Sequence, residues 1–337
     1  MSIIRLVGDV HLGKKFPFTT KQSAALFQQK HDQLMADILD AGADEFICLG
    51  DLFDDFEVDG STLVKGYQYA KELMVLAGNH DIANNTEKAS ALLLLNDVLK
   101  VDVVYKEVRA VHRGRTALAL VPYFLEQGQF DDALKLAASM TQANIGSDHK
   151  VLLLHCNFGN REGTVTENYL TREMAKQMLE TFDLIVCGHE HNFNTPMKGV
   201  VMLGSVMPFS FGEMTDKFVM DYDTDTGEYQ LTPTWKSADY SSMDYKDFLE
   251  CNASLAPFME ITGTIDVTEA AAINKKIGQL YKENGVLSIK NATTLHRAEA
   301  GVTVVDEVKT DWETEVRKEL PDRYLPLFEE LLSKVKK

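Results

Sequence analysis

Six short apolar runs recur along the chain, at 3–7, 45–49, 73–77, 151–154, 183–187 and 200–203. Five of them stop at a glycine and the sixth at His155. Continuous apolar runs of this length predict strands covered on both faces. Between several of them lie longer helix-like stretches: 22–41, with Leu26, Leu34 and Ile38, 87–100, with four consecutive leucines at 92–95, and 166–182. Strands alternating with helices predict an α/β fold in layers. Strand-like segments at 219–222 and 229–231 flank Asp225-Thr226-Gly227, which predicts a hairpin.

The first unit closes near residue 236 in this reading, giving a large domain over 1–236. Residues 237–255 are polar and read as an irregular linker. A strand–helix–strand pattern follows (258–265, 268–283, 286–290), so 237–305 is expected to be a linker plus a small α+β cap. In the tail, 306–337, Pro326 can start a helix on which Leu327, Phe328, Leu331, Leu332 and Val335 share one face. No internal repeat or low-complexity tract interrupts this order.

The polar residues after the apolar runs change the picture. In order they are Gly8-Asp9-Val10-His11, Gly50-Asp51-Leu52-Phe53-Asp54, Gly78-Asn79-His80-Asp81, His155, and Gly188-His189-Glu190-His191. Ligands in open α/β sheets gather at the carboxyl ends of strands, and all five motifs are placed there. Asp9 with His11, and His189 with His191, are spaced i, i+2, which in extended chain puts both side chains on one side. A lone Gly-Asp marks a turn more often than a site; five such motifs in order are not explained that way. Asp9, His11, Asp51, Asn79, His155, His189 and His191 are too many donors for one ion. They suit two ions sharing a carboxylate, and a mixed imidazole and carboxylate set without thiolate suits manganese, iron or zinc better than calcium. Two such ions can clamp the attacking and leaving oxygens of a phosphoryl centre.

Length and charge add limits. The 337 residues carry 34 Lys plus Arg against 51 Asp plus Glu, a net charge of −17. No broad basic face is available, so any nucleic-acid contact must be local or supplied by a partner. The four cysteines, Cys48, Cys156, Cys187 and Cys251, form no CxxC pair and point to a reducing compartment. The start carries no signal-peptide pattern and no apolar run is long enough to span a bilayer, so a cytoplasmic location and no membrane contact are expected. Gly8 to Gly13-Lys14-Lys15 nearly spells a P-loop, but Lys15 stands where Ser or Thr would hold Mg²⁺.

In order and approximate spacing, the five motifs resemble those of the calcineurin-like metallophosphoesterases, over roughly residues 8–195. The resemblance implies a layered β-sandwich flanked by helices. It implies Asp9, His11 and His191 on one metal, Asn79, His155 and His189 on the other, and Asp51 bridging. His80 would help the leaving oxygen depart, with the Asp54 carboxylate orienting it. Gly204-Ser205 and Ser210-Phe211-Gly212-Glu213 are similar to a Gly-Ser-x-x-x-x-Ser-Phe-x-Glu stretch of the SbcD-type DNA nucleases, and the length resembles the compact phage exonuclease subunits of that group. That finer resemblance implies a Mn²⁺-dependent DNA exonuclease and endonuclease. It also implies an SMC-like coiled-coil ATPase partner and a homodimer contact near 87–100; the apolar face of the C-terminal helix could dock on that partner or on this chain's own body.

Phosphate contacts are expected from Lys14 and Lys15 beside the first motif, or from Arg109, Arg113 and Arg115 around a hairpin at Gly114. Two other readings stand beside the nuclease. One is a phosphodiesterase or phosphatase acting on a small molecule or phosphoprotein; the other is a non-catalytic scaffold, against which the full donor set and His80 argue.

Overall fold

The computed structural model describes residues 2–82, 90–143, 146–159, 167–251, 255–283 and 286–295. The first half runs β1 (Ile3–Val7), α1 (Lys21–Asp40), β2 (Glu45–Cys48), α2 (Gly60–Ala70), β3 (Leu73–Leu76), α3 (Ala91–Asp97) and β4 (Asp102–Val104). Then come β5 (Arg109–Arg113), β6 (Thr116–Val121), α4 (Gln127–Gln142), β7 (His149–Phe158), β8 (Tyr169–Leu170) and α5 (Arg172–Met178). Next are β9 (Leu184–His189), β10 (Asn194–Met197), β11 (Val200–Met202), β12 (Lys217–Asp223) and β13 (Tyr229–Trp235). The last stretch holds β14 (Tyr240–Asp244), α6 (Tyr245–Glu250), β15 (Phe258–Thr262), β16 (Thr264–Ile265), α7 (Val267–Lys282), β17 (Ser288–Asn291) and β18 (Thr294–Leu295).

Two sheets face each other. One has the order β13-β12-β1-β2-β3-β4 and the other β10-β11-β9-β7-β6-β5, with β8 added beside β7. The strands bearing the motifs run parallel to their neighbours: β1 to β2, β2 to β3, and β7 to β9. Alternation along each strand explains why these runs are apolar without a break. On β7, Val151 and Leu153 pack between the sheets with Ile4 and Leu6 of β1. Leu152 and Leu154 face α4 and α5 instead, against Phe130, Leu134 and Met178. Both faces of the strand are dry, as in sheets flanked by helices.

Helix α1 starts at Thr20, whose hydroxyl accepts the Ser23 amide while Ser23 Oγ accepts the Thr20 amide. Its buried stripe is Ser23, Phe27, His31, Met35 and Ile38. Leu26 and Leu34 are only partly buried against it. Residues 237–255 were expected to be irregular, yet they contain β14 and α6. The strand β14 pairs in parallel with β15, which pairs in parallel with β17. This small sheet and α7 enclose Phe248, Met259, Ile261 and Ile273. The next residue on β15, Phe258, faces the other way and joins Phe16, Phe27 and Trp235 in the main core. Ser288 Oγ donates to the Pro17 carbonyl at 2.6 Å, fixing the small sheet to the loop that follows the first motif.

The expected helix at 166–182 is shorter, with β8 preceding α5. The expected helix at 87–100 is described only as α3, its beginning lying outside the described residues. So does the tail helix expected after Pro326. Two helices, α2 and α4, have no counterpart in the sequence reading. Both carry glycine near their start (Gly60, Gly128), and α4 has no side-chain hydrogen bond at its N-cap, Glu126.

Candidate metal centre

The ends of β1, β2, β3, β7 and β9 converge, and backbone contacts lock their loops together. The amides of Val10 and His11 donate to the Asp51 carbonyl at 3.1 and 2.9 Å. The His189 amide donates to the Asp9 carboxylate at 3.0 Å, and the His80 amide to Asp51 Oδ1 at 2.9 Å. His11, Asp51 and His189 hold φ of 48°, 50° and 87°, in the left-handed region. Such conformations persist where surrounding contacts over-determine them, and they cluster at functional sites. Two glycines are required by space. A Cβ on Gly78 would lie 2.1 Å from Asp51 Oδ1, and one on Gly50 would lie 2.1 Å from His155 Nδ1.

All seven expected donors gather in two overlapping groups. Asp9, His11 and Asp51 offer ligand atoms close to one another, and so do Asp51, His155 and His189. His191 joins the first group, with Nε2 only 2.9 Å from His11 Nε2. Asn79 joins the second: its Oδ1 lies 2.8 Å from His189 Nδ1 and 3.0 Å from His155 Nε2. Asp51 Oδ2 stands between the groups, 3.7 Å from His11 Nε2 and 3.4 Å from His155 Nε2.

The opposite ring nitrogens show what these contacts require. His155 Nδ1 donates to the Leu49 carbonyl at 2.8 Å, so its Nε2 presents a lone pair to the Asn79 oxygen. His191 Nδ1 meets Glu213 Oε2 at 3.0 Å, and His11 Nδ1 meets Asp54 Oδ1 at 3.3 Å. With protons on those Nδ1 atoms, the two Nε2 lone pairs of His11 and His191 point at each other. Acceptors this close, and buried, need a positive charge between them. Divalent cations satisfy both groups, and His155 and His191 then have the outer oxygen partners that metal-bound histidines favour, while His189 Nε2 meets the Asn157 side-chain nitrogen at 2.9 Å. At His155 a proton takes the cation's place in the metal-free chain. Burial disfavours a charged His155, yet Asp51 and Asp9 push it up to about 10. Burial likewise opposes charge on Asp51, but His155, His11 and His80 bring its carboxyl below the usual range.

Three residues outside the expected set complete the frame. Asp81 is fully buried, and its carboxylate accepts the amides of Leu52 (3.3 Å), Phe53 (3.1 Å) and Gly78 (3.0 Å), which ties the Asp51 loop to the Asn79 loop. Burial, and then Asp51, push its carboxyl up to about 7. Glu213 accepts Ser210 Oγ at 2.7 Å and the Phe209 amide at 3.1 Å as well as facing His191. Burial would raise its pKa, but His191 draws it down to about 2. Lys217 is fully buried on β12 and donates to the His191 carbonyl at 2.6 Å. Burial lowers its ammonium pKa to about 8. Glu213 left a signal in the sequence as the end of the Gly-Ser stretch, and Asp81 as the last residue of the Gly78-Asn79-His80-Asp81 motif; their contacts, and Lys217 altogether, are seen only in the tertiary structure.

His80 is half-buried, with its Nδ1 2.6 Å from the backbone carbonyl of Asp54. The Asp54 carboxylate was expected to orient His80. It instead faces His11 and takes the Lys14 ammonium at 2.7 Å, so the histidine is held by the main chain of residue 54. The expected phosphate contacts are mostly engaged within the chain. Arg113 pairs with Glu45 at 2.5 Å, Arg109 with Asp102 and Arg115 with Asp148. Arg113 and Arg115 also flank the start of β6, beside the start of β7, about six residues (roughly 20 Å) from the level of His155. They are not brought to the centre. Lys14 and the exposed Lys15 are, on a small cavity beside the first motif that Lys65 also lines.

The calcineurin-like phosphoesterase family profile matches residues 4–193. Two curated viral proteins with phosphoesterase names are similar. Protein 078R of Invertebrate iridescent virus 3 is 27% identical over 197 residues, 54% of this chain and 53% of that one. Protein 244L of Invertebrate iridescent virus 6 is 25% identical over 167 residues, 47% of this chain and 54% of that one. The chain thus spans about half the length of the curated relatives it matches. Among solved structures, TT1561 of Thermus thermophilus aligns with a TM-score of 0.43 at 14% identity, covering 69% of this chain and 99% of that one. Among the described residues no helix is long and apolar enough to cross a membrane. With its motifs, their order and the matched span agreeing, the chain belongs to the calcineurin-like phosphoesterase family.

Proposed function

We propose that the chain is a two-metal-ion phosphodiesterase acting on DNA, the nuclease subunit of an SbcCD-like complex. Asp9, His11 and His191 would hold one divalent ion, Asn79, His155 and His189 the other, and Asp51 both. Mn²⁺ is the expected ion. When bound, the pair supplies charge that orients the phosphodiester and stabilises its transition state. The chain's own residues do the rest. The Asp54 carbonyl fixes the His80 Nδ1 proton, which leaves Nε2 to carry a proton to the leaving oxygen. Glu213 and the Leu49 carbonyl hold the imidazoles of His191 and His155 in the tautomers that leave Nε2 for metal, and the Asp54 carboxylate stands 3.3 Å from His11 Nδ1.

One observation supports the nuclease reading above others in the family. The Gly-Ser stretch resembling the SbcD-type nucleases ends in Glu213, and Glu213 bonds directly to a metal-site histidine. That stretch is therefore part of the centre's construction. The reading assigns the small sheet, fixed to the loop after the first motif by Ser288, the part of a cap. An ATPase partner and a self-contact are also proposals. Leu94, Val98 and Leu99 around α3, and Val64 and Tyr67 on α2, are exposed apolar residues suited to a protein contact.

The test incubates purified protein with end-labelled linear duplex DNA and Mn²⁺, beside His80→Ser. Degradation that needs Mn²⁺ and is lost in the variant is expected. The second reading, a small-molecule phosphodiesterase or phosphatase, draws on the net charge of −17 and on the arginines already paired with carboxylates. Turnover of an aryl phosphodiester with no action on DNA, even with its ATPase present, would favour it.

A further inference from the structure

A cavity of about 410 Å³ opens beside the loop that carries Asn79 and His80. Ile82, Tyr105, Tyr123, Phe124 and Leu125 form apolar walls, and Lys106 and Gln129 supply the polar atoms. The wall is joined to the metal centre by backbone. The Tyr123 amide donates at 2.9 Å to the carbonyl of Ala77, the residue before Gly78, and Ile82 lies two residues beyond His80. The Tyr123 hydroxyl lies in the field of the centre: its pKa is raised first by burial and then by the carboxylates of Glu167 and Asp51. The next amide, of Phe124, donates to Asn168 Oδ1 at 2.8 Å, so two successive residues of the cavity wall are fixed by their backbone.

The lining is selective in kind. Three aromatic rings stand in one wall set, and Leu125 is 40% exposed at the rim, although an apolar residue gains by burial. Lys106 is held at φ 62°, with its ammonium 4.8 Å from the centroid of the Tyr105 ring. Unlike Lys14, Arg109, Arg113 and Arg115, it makes no ion pair among the described residues, so a cation is available at an aromatic slot beside a phosphoryl site.

We propose that this cavity is a nucleobase subsite, which holds the base of a nucleotide adjoining the phosphodiester at the metal centre, with Lys106 on its phosphate. The proposal rests on the phosphodiesterase reading and adds to it a place for the base of the nucleotide. A flat heteroaromatic ring joined to a phosphodiester matches what the walls and the cation each offer. The volume, near the lower end of small-molecule sites, suits a single nucleoside better than a folded peptide. Base stacking on aromatic side chains tolerates any sequence, since every base has a π face, so the subsite would raise affinity without selecting sequence.

The test measures calorimetric binding of two probes to the Mn²⁺-loaded protein: dAMP, and 2-deoxyribose 5-phosphate, which lacks the base. Wild type should bind dAMP at least about tenfold more tightly, the loss typical of one stacked base. Tyr105→Ala and, separately, Phe124→Leu should bring the two probes to within about twofold, with deoxyribose phosphate binding and Mn²⁺ affinity unchanged. Tyr105 is only half-buried, so at least that variant should fold. Lys106→Ala should weaken both probes alike. Equal binding of the probes by wild type, or a preference that survives both aromatic variants, would overturn the subsite alone. Binding of neither probe would overturn the phosphodiesterase reading with it.

Discussion

Replacing Glu213 isolates a single support of the metal centre. Its carboxylate makes three contacts: His191 Nδ1 at 3.0 Å, Ser210 Oγ at 2.7 Å and the Phe209 amide at 3.1 Å. The first fixes the His191 tautomer and turns Nε2 toward His11 Nε2, 2.9 Å away. Without that partner the ring can rotate or protonate at Nε2, and one of the two facing donors is lost. Removing such an outer partner typically weakens metal binding by about 10–100-fold, or roughly 1.4–2.7 kcal/mol. Glu213→Ala should fall near the upper end of that range. Glu213→Gln keeps a neutral acceptor of the same reach and should fall near the lower end. The assay is calorimetric titration of the metal-free protein with Mn²⁺, with circular dichroism and thermal unfolding to show that both variants fold. Alanine and glutamine variants that both bind Mn²⁺ within about twofold of wild type would refute the tautomer argument.

Three further outcomes follow from the same geometry. Gly78→Ala places a methyl carbon 2.1 Å from Asp51 Oδ1 and 2.4 Å from its amide; it should abolish tight metal binding and cost at least ~1–3 kcal/mol in urea unfolding, as overpacking does. Because metal must displace a proton from His155, whose pKa is about 10 in the metal-free chain, Mn²⁺ affinity should rise by about tenfold per pH unit between pH 6 and 9; a pH-independent affinity, or no proton release across buffers of different ionisation enthalpy, would contradict this. His31 is buried against Phe209, and desolvation lowers its pKa to about 4 from 6.5. The unfolded chain therefore binds the proton first, so this contribution is full above pH 6.5 and is lost as pH falls toward 4. In chelator, wild type should lose about 2 kcal/mol more than His31→Leu on going from pH 8 to pH 5, and parallel losses would contradict it.

The donors were legible because each sits within four residues of the end of an apolar strand, or on the strand itself, and parallel strands bring those ends together. The layered α/β fold was legible in the same way, from runs buried on both faces. What escaped depends on distance in sequence. Asp81 stands inside the Gly-Asn-His-Asp motif, yet its bonds to the loop at 52–53 are visible only once the loops meet. Lys217 reads as an ordinary strand lysine until its ammonium is seen on the His191 carbonyl. Arg113 looks free in sequence, but its carboxylate partner, Glu45, lies 68 residues away. Asp54 was assigned to His80 by its carboxylate, whereas main-chain geometry gives His80 the carbonyl of the same residue. The helices α2 and α4 were missed because glycines near their starts weaken local propensity, which tertiary packing then overrides.

The most direct test of the two-metal account counts the ions: metal-free protein is titrated with Mn²⁺ in a calorimeter, beside Asp51→Asn. Two ions per chain in wild type, with both sites weakened by the single substitution, is the predicted result, because Asp51 stands between the two donor groups. One ion or none in the wild-type chain, or an Asp51→Asn variant that still binds two with unchanged affinity, would contradict it.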